Sequence, residues 1–342
     1  PERVTAEPEQ KGPRKSIRYL KGARTPLLRI GYHAARMGTD DFYALDAMTM
    51  ILSSGRSARM TQNIINQGRA VEAWAHNPDN RYAGMIMAGG SPNEPDALQG
   101  LGDEEKRLAY LKACQDLEDQ LIAELEKMKT EPVSEQELAR IKRLNERDFL
   151  ERLRSNEDLA GLLASLEVQI GWRYLNDYLK KLAAVTPERI RAAARKYVRS
   201  DKRTTVYVIP GGKPDTPPVR YEETRMVSGS AAAAIGRPTD FRNNSIHPTP
   251  AGWQHPLSFD RTPQKIVYPR AQTAGIGPAK VFFLPDRELP LIDVTILVKS
   301  GSVDIDPSKT GLENILNDSL VKGGTQTYSP TELSNILDDS AI

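Results

Sequence analysis

The chain is poor in the residues that build metal and redox sites: its 342 residues include one cysteine and four histidines. A lone Cys114 excludes an intrachain disulfide and leaves oxidising and reducing compartments equally open. His33, His76, His247 and His255 include no pair four residues apart, the spacing that puts two imidazoles on one helical face. An excess of one charge is missing too. Forty-seven basic residues against 45 acidic leave a net +2, which gives no electrostatic case for nucleic acid or an anionic membrane. No apolar run approaches the roughly 18 residues needed to span a bilayer.

What is present describes an ordinary, somewhat polar globular chain, 39% hydrophobic and 27% charged, long enough for two domains. Arg14 to Leu20 and Pro26 to His33 read as strands. Asp40 or Asp41 offers an N-cap for a helix with Leu45, Met48 and Leu52 on one face. Ser53-Ser54-Gly55 ends it, and a second helix is expected from about Ala58 to Asn66. Two more strands, Ala70 to Ala75 and Tyr82 to Ala88, flank an Asn-Pro-Asp-Asn turn. This β-β-α-α-β-β order predicts an α+β fold, with one mainly antiparallel sheet and helices on one face.

Helical patterns follow over Asp103–Lys129, from Ser134 to about Arg154, and over Asn156–Gly171. Ser134 and Glu137 form a capping box, and Thr186-Pro187 repeats the start signal with proline at the first helical position. Thr204 to Ile209 reads as the strand that closes the sheet. Proline then becomes frequent and apolar periodicity fades, so 213–262 reads as a surface linker. Strand signals return at Lys265–Tyr268 and Ala279–Leu284. The organisation expected is thus 1–212, a linker over 213–262, and a partial second α+β unit over 263–342.

The last segment carries a motif. From Leu291 it reads LIDVTILVKSGSVDIDPSKTGLENILNDSLVKGGTQTYSPTELSNILDDSAI: a strand to Val298, a helix from about Thr310 to Val321, a Gly-Gly-Thr break, and a helix capped by Ser329. This resembles the start of a module in the pitrilysin/insulinase (inverzincin) family of zinc metallopeptidases, whose first helix carries H-x-x-E-H. The five corresponding positions here are Asn314-Ile315-Leu316-Asn317-Asp318. Asn314 and Asp318 share a helical face. One carboxylate and one neutral amide nevertheless fall short of the three ligands a catalytic zinc needs, and Asn317 cannot take a proton from water.

The resemblance extends to GYHAARMGTDDFYALDAMTMILSSGRSARMTQNIINQGRAVEAWAH, which is similar to the opening of the second half of such a module. Its L-x-x-G-x-S-x-R turn is Leu52 to Arg59. EPVSEQELARIKR, VTPERIRAAARKYV and the strand from Thr204 to Pro210 continue the pattern. The resemblance implies that 1–212 is the tail of one module and 263–342 the truncated head of a degenerate second one. In the family two modules close around an unfolded peptide, and the zinc ligands lie in the first half of the active module. No catalytic or metal-binding residue is therefore transferred to this chain. Zinc is expected in the parent protein and none here. The implied role is chamber wall and substrate enclosure in a two-module zinc endopeptidase, with peptide or unfolded polypeptide as partner. The alternative is a non-catalytic scaffold or processing-complex subunit of the same fold. A bacterial parent would imply a periplasmic or exported location.

The remaining signals are weaker. Arg56 and Arg59, flanking Ser57, are substrate-contact candidates, although Arg59 equally suits a pairing with an acid. The basic run from Arg189 to Arg203 reads as a solvated helix face, not a nucleic-acid site. Gly275-Ile276-Gly277 lacks the third glycine of a dinucleotide loop. Trp74 reads as packing. A sheet face without its sister half predicts self-association through exposed apolar surface.

Overall fold

A computed structural model describes residues 9–95, 98–211, 252, 270–299, 301 and 305–342. Two compact units divide the chain: residues 1–213 together with 289–342, and residues 214–288.

The larger unit is built on a five-stranded sheet with the order β1-β5-β2-β4-β3, comprising β1 (Arg14–Leu20), β2 (Leu27–His33), β3 (Ala70–His76), β4 (Met85–Pro92) and β5 (Thr204–Pro210). Three pairings are antiparallel, and β1 lies parallel to β5. The expected α+β architecture is therefore observed, with one parallel pair at the edge. Period-two alternation sends Leu28, Ile30, Tyr32, Ile86, Ala88, Tyr207 and Ile209 to one face, where all are buried.

Helices α1 (Asp40–Ser53) and α2 (Asp103–Thr130) cover that face. Cys114, Leu117, Leu121, Leu125 and Met128 recur at three- and four-residue spacing in α2 and are all buried. Burial of each large apolar side chain contributes roughly 1.5–3 kcal/mol, so these two helices supply much of the core. Four further helices follow: α3 (Glu135–Glu151), α4 (Asn156–Gln169), α5 (Tyr178–Ala183) and α6 (Pro187–Tyr197), the last packed on α1 and α2. The Ser134 capping box is present, with the Glu137 amide donating to Ser134 Oγ at 3.1 Å and the Ser134 amide donating to Glu137 at 3.0 Å.

Several elements depart from the sequence reading. Thr39, not Asp40 or Asp41, caps α1, its Oγ1 accepting from the Phe42 amide at 3.3 Å. The two aspartates occupy the first turn, where negative charge complements the helix dipole. The helix expected from Ala58 to Asn66 winds as a short π-type turn over Thr61–Ile65. β4 begins at Met85 rather than Tyr82, because Tyr82 to Gly84 belong to the turn.

The C-terminal segment adds α7 (Leu312–Lys322) and α8 (Pro330–Asp339). The capping box at Ser329 forms as expected, with Glu332 in the reciprocal position. The strand expected over Leu291–Val298 does not form. Its backbone has no ladder partner among the described residues, and Ile292 and Leu297 stand 91% and 90% exposed. A strand is stabilised by cross-strand pairs, and this segment has none.

In the smaller unit, β6 (Gln272–Ile276) and β7 (Ala279–Phe283) form a hairpin. Gly275 and Ile276 end β6 and Gly277 opens the turn, with a left-handed φ of 57°; no sequence signal marks β6. The expected strand at Lys265–Tyr268 and nearly all of the proline-rich linker lie outside the described residues.

Candidate functional site

Two places were singled out by the sequence: the turn between α1 and β3, and the α7 positions whose resemblance to a zinc motif is an expectation from residue order. The turn runs from Leu52 to Arg59. Gly55 adopts a left-handed φ of 85°, which favours glycine. A second constraint also acts there, since a Cβ on Gly55 would come within 2.7 Å of Asp338 Oδ2.

Asp338, near the end of α8, is buried and accepts from the Ser57 amide at 2.7 Å and from the Ser57 hydroxyl. Its neighbour Asp339 accepts from Gln136 Nε2 at 2.9 Å, and its carbonyl accepts from Arg143 Nε at 2.7 Å. The C-terminal helix is thus fastened to the turn and to α3. Sequence reasoning missed Asp338, because its partner lies 281 residues away and no local pattern marks such a contact.

Arg59 and Arg56 have different surroundings. Arg59 donates from Nε and NH2 to the two carboxylate oxygens of Glu137 at 2.8 and 3.0 Å, a bidentate pair with Glu137 already engaged by Ser134. Desolvation raises the Glu137 carboxyl, but the Arg59 guanidinium and the Ser134 amide outweigh it and hold the group at about 2. Arg59 is thereby occupied in tying the turn to α3. Arg56 is exposed and lines a cavity of about 230 Å³ with Arg147, Asp148, Asp338 and Ile342.

On α7, Asn314 and Asn317 are exposed, and Asp318 lies one turn beyond Asn314. His33 and His76 lie at the ends of β2 and β3, while His247 and His255 lie outside the described residues. Among the described residues, no group of three or more His, Cys, Asp or Glu side chains is arranged to hold a metal ion.

The basic run is largely paired. Lys196 meets Asp41 at 2.6 Å, Arg199 meets Asp201 at 2.7 Å, Lys202 pairs with Glu9, and Arg195 donates to the Lys129 carbonyl at 3.0 Å. Trp74 lies on the sheet face away from the helices. The Arg29 guanidinium stacks over its ring at 4.4 Å, and both sit beside Gly89, where a Cβ would approach the indole within 3.0 Å. No helix among the described residues is long and apolar enough to cross a membrane.

Residues 1–145 match the family model described as the peptidase M16 inactive domain. This region is similar to M16 peptidases of the inactive-domain type. The zinc protease PqqE of Helicobacter pylori is 27% identical over 208 residues, 60% of this chain and 43% of that protein. The crystal structure of a protease from Helicobacter pylori superposes with a TM-score of 0.52 at 25% identity, over 61% of this chain and 47% of that one. The chain therefore spans less than half the length of these relatives. The similarity agrees with the resemblance to pitrilysin-type peptidases and with a non-catalytic peptidase-family module.

Proposed function

We propose that this chain is a non-catalytic part of a two-module zinc metalloendopeptidase, where it forms a wall of the chamber that encloses a peptide. The observation that supports the reading is the similarity of 1–145 to an inactive-type peptidase domain, alongside Asn314, Asn317 and Asp318 at the positions that resemble the zinc motif. On this reading residues 263–342 begin the second, degenerate module, and the zinc and its general base reside elsewhere in the parent. The Helicobacter pylori relative is a zinc protease, which supports peptide hydrolysis by the parent. Arg56 is the remaining candidate for substrate contact, since Arg59 is held by Glu137.

The test uses the full parent protein and this chain side by side. The parent should hold one zinc after dialysis and cleave an unfolded polypeptide. The chain alone should do neither, and deletion of its 1–212 counterpart from the parent should raise KM. A parent that holds no zinc and cleaves nothing would replace this reading with the scaffold one.

A further inference from the structure

The Asp46 carboxylate, on the inner side of α1, has no ion pair among the described residues. Its hydrogen-bond partner is the Tyr178 hydroxyl, which donates to Oδ2 at 2.9 Å. Asn145 Nδ2 in turn donates to the same tyrosine oxygen at 3.1 Å, while Asn145 Oδ1 is buried with no partner. These groups line a cavity of about 270 Å³, whose walls come from α1, α3, α4, α5 and the short 3-10 turn before α5. The walls are aromatic and aliphatic. Tyr178 stacks on Phe149 at 6.3 Å and tilts against Tyr174 at 6.0 Å, and Leu162 completes the lining. Asp79, Asp148, Arg152 and His76 also line it, with Asp148 paired to Arg147 at 2.8 Å, so Asp46 is the lining carboxylate nearest the aromatic wall that has no ion pair among the described residues.

Each feature narrows the ligand. A buried carboxylate is costly unless paired with a cation. An unpartnered carbonyl oxygen asks for an N–H donor. Aromatic faces attract a cation and pack an apolar stem. An anion would face the Asp46 carboxylate, and a neutral apolar molecule leaves that carboxylate without a cation and Asn145 Oδ1 without a donor. We propose that this cavity binds a primary alkylammonium group, with Asp46 as counter-ion, Asn145 Oδ1 as second acceptor, and Phe149, Tyr174 and Tyr178 around the alkyl stem. Desolvation raises the Asp46 carboxyl to about 7, against the opposing Tyr178 hydrogen bond, and an adjacent cation would favour the ionised form. The inference stands independently of the peptidase reading, since it uses none of the residues that support it.

A free amine and a lysine side chain share this chemistry, so titration of the whole chain takes two arms: n-butylammonium, and N-acetyl-lysine N-methylamide. Saturable binding of either supports the site, and the arm that binds identifies the source. Butan-1-ol is the neutral control and should bind at least about tenfold more weakly, a difference of about 1.4 kcal/mol. Asp46→Asn should weaken ammonium binding at least tenfold. Leu162→Trp should block the cavity while leaving Asp46 in place, which guards against a misfolded Asp46 variant. Absence of saturation in both arms, or equal affinity for the alcohol and the ammonium ion, would overturn the proposal.

Discussion

Arg59 and Glu137 illustrate how one pair can serve structure where function was a candidate. The guanidinium is held by both carboxylate oxygens, so Arg59→Ala should lower stability by about 1–3 kcal/mol, the range for a charged hydrogen-bonded group left without its partner. Arg56→Ala removes no such pair and should stay within about 0.5 kcal/mol. Urea denaturation of both variants checks the contrast. The same residues set the response to pH. Glu137, held at about 2 when folded, contributes stability that is complete above the usual carboxylate range and is lost as pH falls through about 4 toward 2. Asp46 acts in the opposite sense. Its carboxyl sits at about 7 when folded, so the unfolded chain releases that proton first and stability falls as pH rises from about 4 to 7. Asp46→Asn should remove that decline, and denaturation midpoints across the interval measure it.

Among the elements, α2 is joined to the sheet by more than apolar contact. Glu118 is buried and accepts from Lys15 Nζ at 2.8 Å, Thr205 Oγ1 at 3.0 Å and the Tyr207 hydroxyl. The three donors sit on β1 and β5, the parallel pair. Glu118→Ala leaves the Thr205 and Tyr207 hydroxyls without their acceptor, while Lys15 is 44% exposed and keeps the Tyr207 oxygen, so a loss of about 1–3 kcal/mol is expected. Thermal denaturation would show it. Helix α8 depends on two local devices, the Ser329 cap and the Asp338 contact with Ser57. Ser329→Ala should cost the helix about 1 kcal/mol. Asp338→Asn should raise amide exchange in α8 while leaving α1 and α2 protected. Unchanged exchange in α8 would show that its hold comes from apolar packing alone.

At the scale of the whole molecule, the exposed run Ile292, Val294, Ile296, Leu297 and Val298 is the feature with consequences for association. Contiguous apolar, β-prone residues without a ladder partner are a template for pairing between chains. Sedimentation should therefore show concentration-dependent self-association, reduced by Val294→Lys with Ile296→Lys. A monomer at all concentrations would contradict this.

Much of the fold was legible in short range. The five sheet strands, the capping boxes at Ser134 and Ser329, and the periodic stripe of α2 follow from side-chain spacing and local hydrogen bonding, which the chain carries with it wherever it folds. That Asn314, Asn317 and Asp318 cannot supply H-x-x-E-H chemistry is equally a property of residue type, since no arrangement gives an amide the basicity of a carboxylate. Only the tertiary structure decided that Arg59 is spent on Glu137, that Asp338 reaches Ser57, that β1 runs parallel to β5, and that Asp46 meets no cation among the described residues. Those outcomes depend on groups brought together across tens to hundreds of residues. The strand expected at Leu291–Val298 failed for the same reason: β-propensity is local, but a strand exists only when another backbone lies beside it.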